Sequence, residues 1–237
     1  MKIISTSPYI TEILESLGVL DSVVATSSEE HLCKLDSSVL RFESSDLDKV
    51  INQKKPDLVF IDYVDEKIPF QLEENLTQKY SDLAGSQLKV FSFNPRTFQG
   101  VCDAFDGLGK AVGKKDEGHK FSGMLQAEFK NWSDNFYDRM KNKKVVVLSS
   151  VEPLYAAGLW IPDLVGLCGA SCTTMLQVAG KEHNEIVWEH LLAYRPDVIL
   201  VAPKGYPLDK ALGTFKIMEK LPDWESLPAV KRGEVFF

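Results

Sequence analysis

Lys55-Pro56-Asp57-Leu58-Val59-Phe60-Ile61 and Arg195-Pro196-Asp197-Val198-Ile199-Leu200-Val201 are almost the same seven-residue phrase, written once in each half of the chain. In both, a basic residue, a proline and an aspartate feed an apolar run. Other features echo at nearly the same offset. Ile3-Ile4-Ser5 opens the first half and Val146-Val147-Leu148-Ser149 the second, and each is followed by a proline-containing loop and an apolar helix closed by glycine. The repeat predicts two similar lobes, an architecture in which a ligand usually sits in the cleft.

The local signals fill in those lobes. Ser7 is placed to cap a helix with Pro8 in its first turn, where a missing N–H does no harm. Ile10, Ile13, Leu14 and Leu17 form one apolar stripe, and Gly18 ends it. Strands are predicted at Ile3 to Ser5, Val23 to Ala25, Leu58 to Ile61 and Lys89 to Phe93, with helices from Asp46, from Phe70 to Leu83, and from Pro95 to Val112. Strands alternating with helices predict an α/β fold of two Rossmann-like lobes with mostly parallel sheets. Beyond Gly113, proline is absent while Phe121, Leu125, Phe129, Trp132, Phe136 and Met140 keep helical spacing. That helix, roughly 40 Å long, is too long for a crossover inside one lobe and is expected to join the two. The expected division is an N-terminal lobe over 1–113, the linking helix over 114–142 and a C-terminal lobe over 143–237. In the second lobe the loop from Ser149 to Ile161 is longer than its first-lobe counterpart, which makes it a candidate ligand wall.

Composition excludes several classes. With 27 basic and 34 acidic residues, a formal charge of -7, the chain lacks the basic surface that a sequence-independent nucleic-acid binder needs. No apolar run approaches the roughly 18 to 20 residues of a membrane span, so no direct membrane insertion is expected. The first residues already read as a strand rather than a signal peptide, which predicts a cytoplasmic protein if Met1 is the native start and a periplasmic one if the chain is a processed mature form. Cys33, Cys102, Cys168 and Cys172 are irregularly spaced and suit reduced, buried thiols. No nucleophile elbow, phosphate-cradling loop or zinc-protease motif is present, so neither an enzyme nor a catalytic cofactor is expected.

The opening strand with Ser-Thr-Ser-Pro, Thr11-Glu12-Ile13-Leu14 and Leu17-Gly18, the run Leu47-Asp48-Lys49-Val50-Ile51, the long helix, and Trp224 through Val235 together resemble the class III periplasmic-binding-protein fold. The likeness is to cobalamin-binding proteins of ABC importers, in a branch often without signal peptides. It covers essentially the whole chain and includes Glu152-Pro153-Leu154-Tyr155-Ala156-Ala157-Gly158-Leu159-Trp160. Members of that branch carry a His-Glu-Cys-Asp-Tyr-Pro loop where this chain has Glu29-Glu30-His31-Leu32-Cys33. They also continue past the strand at Val235 into a closing helix, so the second lobe is expected to end short of theirs.

The resemblance implies a monomer that holds cobalamin or a related corrinoid between its lobes, with an ABC permease as partner or a role in corrinoid handling inside the cell. A corrin is a mostly apolar disc edged with amides, so aromatic faces and a few hydrogen-bonding groups suffice to hold it. The strand-end loops offer Pro8, Tyr9, His31, Phe42 and Tyr63 in the first lobe, and Tyr155, Trp160, Lys204 and Tyr206 in the second. Phe42 stands where such binders place an aromatic against the ligand. Each ring also has a packing reading, and Trp132, Trp188 and Trp224 are read as structural. His31 alone is placed to coordinate a metal, because His119, His183 and His190 fall away from the strand ends; no metal-ion cargo is expected. Two further readings remain: a chelatase-like enzyme acting on a tetrapyrrole or metal complex, and ferric-siderophore capture, which would call for more cations than Lys204.

Overall fold

The computed structural model describes residues 1–29, 31–62, 70–172, 180–181, 183–203 and 206–237. They form two compact α/β units. Met1–Pro95 with Gln99–Met124 makes the first, and Arg96–Phe98 with Leu125–Phe237 the second.

The first unit is built on strands β1 (Ile3–Ser5), β2 (Val23–Ser27), β3 (Leu40–Phe42), β4 (Leu58–Asp62), β5 (Phe70–Leu72) and β6 (Lys89–Phe93). Their order is β3-β2-β1-β4-β6-β5, and every neighbouring pair is parallel except β5 with β6. Such strands are covered on both faces, and the sequence shows how. Alternate residues point to opposite sides, so Ile3, Leu58 and Phe60 pack on Ile10, Ile13 and Leu14 of α1 (Pro8–Ser16) and on Leu108. Ile4, Val59 and Ile61 pack instead on Val50 and Ile51 of α2 (Leu47–Lys54) and Tyr80 of α3 (Glu74–Ala84). Each fully buried Ile or Leu contributes about 1.5–3 kcal/mol. Leu108 belongs to α4 (Phe98–Ala111), which crosses the start of α5 (Lys115–Met140) at paired glycines. A Cβ on Gly118 would meet the carbonyl oxygen of Phe105 at 2.6 Å, so only a bare backbone permits this approach.

The second unit holds β7 (Val145–Val151), β8 (Leu154–Ala157), β9 (His183–Glu185), β10 (Val198–Val201) and β11 (Val235–Phe236), in the order β11-β10-β7-β8-β9. Val146, Leu148, Ile199 and Val201 face Leu191 of α7 (Trp188–Tyr194), Met218 of α9 (Phe215–Met218) and Ala229 of α10 (Pro228–Arg232). On the other face Val145 and Val147 meet Val165 of α6 (Ile161–Leu167). The stretch from Leu208 to Met218 is divided at Thr214 into α8 (Leu208–Gly213) and α9.

The repeated phrase makes the same joint in both units. Lys55 and Arg195 end α2 and α7 in the left-handed region, with φ of 48° and 53°. The proline that follows cannot extend the helix, and the aspartate then clips the next strand to the first strand of its unit. Asp57 Oδ2 accepts the backbone N–H of Lys2 at 2.7 Å while its own N–H donates to the Lys2 carbonyl at 2.9 Å. Asp197 does the same with Lys144, at 3.0 and 2.7 Å. The lysine side chains reach back to the helix ends, Lys2 Nζ to the Lys54 carbonyl and Lys144 Nζ to that of Tyr194.

Three readings of the sequence need correction. Phe70 does not open a helix: Phe70–Leu72 is β5, and α3 starts at Glu74. The ring of Phe70 stacks on Phe91 at 5.1 Å and lies against Gly107, where a side chain would collide with it; these long-range contacts override the local helical spacing. The stretch from Ser149 to Ile161 is a β-hairpin, β7 and β8 turning at Glu152 and Pro153, rather than an open loop. Trp132, read as structural, is exposed on α5, a helix within which only Gly118 and Ser122 are buried.

The two aspartates are expected to differ in weight. Asp197 is the more shielded, its side chain 20% exposed against 61% for Asp57, and Arg232 pairs with it at 3.0 Å. The N–H of Lys144 and the Arg232 guanidinium hold its pKa below the usual carboxylate value. Asp197→Asn should therefore lower stability by about 1–3 kcal/mol in urea unfolding at pH 7, and Asp57→Asn by about 0.5–1.5 kcal/mol. Because the folded-state pKa of Asp197 is depressed, its contribution is complete above about pH 3.9 and fades below it, so the wild-type and Asp197→Asn curves should converge in acid.

Candidate functional site

In the first unit the parallel strands all end on one edge of the sheet, and the residues that leave that edge build a connected polar chain. Ser5 closes β1, Thr26 lies near the end of β2, and Thr11 rises from α1 between them; all three are fully buried. Buried hydroxyls need partners, and these find one another. Thr11 Oγ1 lies 3.0 Å from Ser5 Oγ, 3.1 Å from the Ser7 carbonyl oxygen and 2.8 Å from Thr26 Oγ1. Thr26 Oγ1 in turn lies 3.0 Å from His31 Nε2. At the start of α1 the Ser7 hydroxyl is buried with no partner among the described residues.

His31 caps this chain. Its Nδ1 is 2.7 Å from the Glu29 carbonyl oxygen and 2.6 Å from Arg41 Nη1. A carbonyl only accepts and a guanidinium only donates, so two neutral tautomers each satisfy a different neighbour while Thr26 serves the other ring nitrogen in either case. Burial lowers the His31 pKa; the Glu29 carbonyl pulls it back up, and the Arg41 cation lowers it further. The net direction is down, so the ring is neutral at pH 7 and keeps one unprotonated nitrogen. Arg41 also donates to the Ser27 carbonyl at 3.3 Å.

Of the other first-unit residues, Pro8 and Tyr9 stand half-buried at the start of α1, and the ring of Tyr9 lies 5.4 Å from that of Phe93. Phe42 is only 6% exposed and packs with Ile4, Val50, Ile51 and Val59, so its ring serves the core of its own unit. The alternation of β3 turns it inward, while Arg41 beside it faces out. Tyr63 lies outside the described residues. A broad hollow of about 1500 Å³ opens at the amino ends of β4 and β6, lined by Asp57, Lys89, Asp103, Asp106 and Lys110 among others. It contains none of the predicted site residues and sits at the opposite edge of the sheet from His31.

In the second unit Tyr155 lies half-buried on β8, paired in register with Ser150 and Glu185. Trp160 precedes α6, half-buried and outside both apolar clusters of its unit. The backbone leading to it is held tightly: Leu159 donates to the Lys181 carbonyl at 2.8 Å, and Gly180 donates to that of Leu159 at 3.1 Å. Gly158 leaves no room for a Cβ against Lys181. The α6 carboxylate of Asp163 accepts the backbone N–H of Phe98 at 3.0 Å. Tyr206 is 42% exposed, with Lys210 Nζ 3.8 Å from its ring centre. Lys204 lies outside the described residues. Trp224 is 3% exposed and Trp188 donates to the Pro222 carbonyl at 2.9 Å, both structural as read, whereas Trp132 is 44% exposed.

Sequence reasoning named Tyr9 and His31 as ligand contacts and passed over Thr11, Thr26 and Arg41, the groups that hold the imidazole. Hydroxyl residues at the ends of β1 and β2 are the signal that was available. Among the described residues no group of three or more His, Cys, Asp or Glu side chains gathers to hold a metal, and no helix is long and apolar enough to cross a membrane.

A family model described as periplasmic binding protein matches residues 3–237. A curated relative, the high-affinity heme uptake system protein IsdE of Staphylococcus aureus (strain Newman), is 22% identical over 152 residues, which is 63% of this chain. The match spans about half, 51%, of that relative's length. Similar solved structures include S. aureus IsdE complexed with heme (TM-score 0.75, 18% identity, covering 100% of this chain and 89% of that one). The periplasmic vitamin B12 binding protein BtuF of Vibrio cholerae gives a TM-score of 0.71 at 18% identity, covering 99% and 86%. An ABC transporter substrate-binding protein from Listeria monocytogenes EGD-e gives 0.73 at 22%, covering 99% and 88%.

The hydrogen-bonded chain predicts a measurable titration. The His31 imidazole should titrate below the ordinary value of about 6.5 when followed by NMR, and Arg41→Ala should raise its pKa. Since the folded-state pKa is the lower one, the neutral ring's contribution is full above about pH 6.5 and is lost as the pH falls through the folded value. Phe42→Ala should cost about 3–5 kcal/mol of stability, read by urea unfolding, as expected for a core ring.

Proposed function

We propose that this chain, which belongs to the periplasmic binding protein family, is the substrate-binding component of an ABC-type importer and that its cargo is a tetrapyrrole, with cobalamin or a related corrinoid first. The observation that carries this reading is the strand-end chemistry of the first unit, where a neutral imidazole rests on buried, mutually satisfied hydroxyls and Tyr9 stands half-buried at the start of α1. Such a surface suits a large apolar macrocycle with a few polar substituents. The ligand residues assigned are Pro8, Tyr9 and His31 in the first unit and Tyr155, Trp160 and Tyr206 in the second, together with Tyr63 and Lys204. Phe42 supports the site from behind, through the core. An ABC permease is the partner this role requires, and it carries a location outside the cytoplasmic membrane.

Haem is the second reading. It is supported by the heme-related names of IsdE and by the unprotonated nitrogen of His31, which suits an axial ligand to iron. A chelatase-like activity has no support in the family, and siderophore capture, which calls for several cations, has Lys204 alone among the ligand residues assigned here.

Calorimetric titration with cyanocobalamin, haem and a ferric siderophore tests the proposal. Saturable one-to-one binding of cyanocobalamin is expected, weakened about tenfold or more by Trp160→Ala and by Tyr155→Ala without loss of thermal stability. Haem binding with a Soret shift that disappears in His31→Ala would select the second reading. No binding of either tetrapyrrole would overturn both.

A further inference from the structure

The carboxyl half of α5 carries an aromatic ridge that its own unit covers only in part. Phe98 lies 4.3 Å from Phe129, ring centre to ring centre, and Phe129 lies 5.2 Å from Trp132. One turn further on comes Phe136. Trp132 and Phe136 are each 44% exposed. The side of the helix that meets the unit's body is marked by Tyr137, whose ring and carbonyl press on Gly169, and by Met140, which packs with Val145 and Val147. At about 100° per residue Phe136 lies about 40° and Trp132 about 80° round the helix from Met140, so both rings border that contact, Trp132 further from it, and both keep much of their surface open.

The charges around the ridge are arranged in a self-complementary way. At about 100° per residue, Glu128 and Arg139 lie three turns apart on the same flank of the helix, with Trp132 and Phe136 between them along its length. Both are exposed and neither has an ion-pair partner among the described residues. In this half of the helix the other charges are engaged locally, Lys130 with Asp134 at 2.9 Å and Asp138 with Lys141 just beyond its end at 2.8 Å.

We propose that a second copy of this chain docks on this face, with the two α5 helices antiparallel about a two-fold axis beside Asp134. In that register Trp132 of each copy meets Phe136 of the other, and Glu128 of each copy meets Arg139 of the other. The contact is isologous, so every favourable pair occurs twice. A parallel arrangement sets Glu128 against Glu128 and Arg139 against Arg139, which the charges oppose. The contact uses only about four helical turns of each copy and falls well below the ~1,600 Å² of a standard stable interface, so association is concentration-dependent, with Kd on the order of tens of micromolar. The monomer expected from sequence is then the dilute species.

Sedimentation velocity over about 1 µM to 1 mM full-length protein tests this. The wild type should shift from monomer to dimer, and Trp132→Ser should weaken the dimer about tenfold or more. Glu128→Arg and Arg139→Glu should each do likewise by setting like charges together at two places. An equimolar mixture of those two single variants should dimerise again, because one chain then carries Arg at both positions and the other Glu. Unchanged far-UV circular dichroism of each variant establishes that it is folded. A wild type that stays monomeric throughout overturns the proposal and leaves the ridge to a different partner. A dimer indifferent to both reversals, or a mixture that fails to re-associate, overturns the antiparallel register and the proposal with it.

Discussion

One joint recurs at the centre of each unit, and the sheet on either side depends on it. An aspartate receives the first backbone N–H of the opening strand and returns its own N–H to the same residue. This exchange settles the register of β1 against β4 and of β7 against β10, and a one-residue slip in either would turn every core side chain to the wrong face. The left-handed basic residue and the proline before it bring the helix to that point and stop it. Lysine side chains from the opening strands then cover the open carbonyls at the helix ends. Backbone geometry, a ring constraint and a carboxylate together do what no single apolar contact does, because hydrophobic burial has no direction of its own.

Around that shared joint the units diverge on one side only. Past β4 and past β10 the next strand is parallel in both, as β6 and β11. On the opposite side the first unit continues with parallel β2 and β3, while the second folds straight back through the β7–β8 hairpin. The divergent sides also carry several of the residues proposed to meet the ligand: His31 follows β2, steadied by Arg41 on β3, and Tyr155 and Trp160 lie on and after β8. The strands bearing the repeat maintain the sheet, and their neighbours are free to vary in chemistry.

The placement of the proposed site residues was legible where a residue's surroundings are local. Tyr9 follows Pro8 at a helix start, and His31 leaves a strand end, so both could be placed from spacing alone. Phe42 was read as a ligand contact, but its ring packs on residues of α2, β1 and β4, some far along the chain. The hydroxyl chain from Ser5 through Thr11 to Thr26 was invisible for the same reason, since it joins three elements whose approach is set by the sheet. Trp132 on α5, read as structural, erred in the other direction. Its spacing is that of a buried face, yet Trp132 and Phe136 remain exposed, because periodicity reports that one side of a helix is apolar and is silent about what covers it.

The sequence by itself determined the class, the repeat, the single long helix and the family, because prolines, glycines and apolar periodicity act on the backbone within a few residues of where they stand. Only the tertiary structure decided that Phe70 pairs as a strand, that the stretch after Ser149 is a hairpin, and that a neutral His31 rests on a chain of buried hydroxyls beside Arg41. Those outcomes depend on atoms brought together from distant positions, where stacking, close glycine contacts and hydrogen-bond satisfaction outweigh local preference.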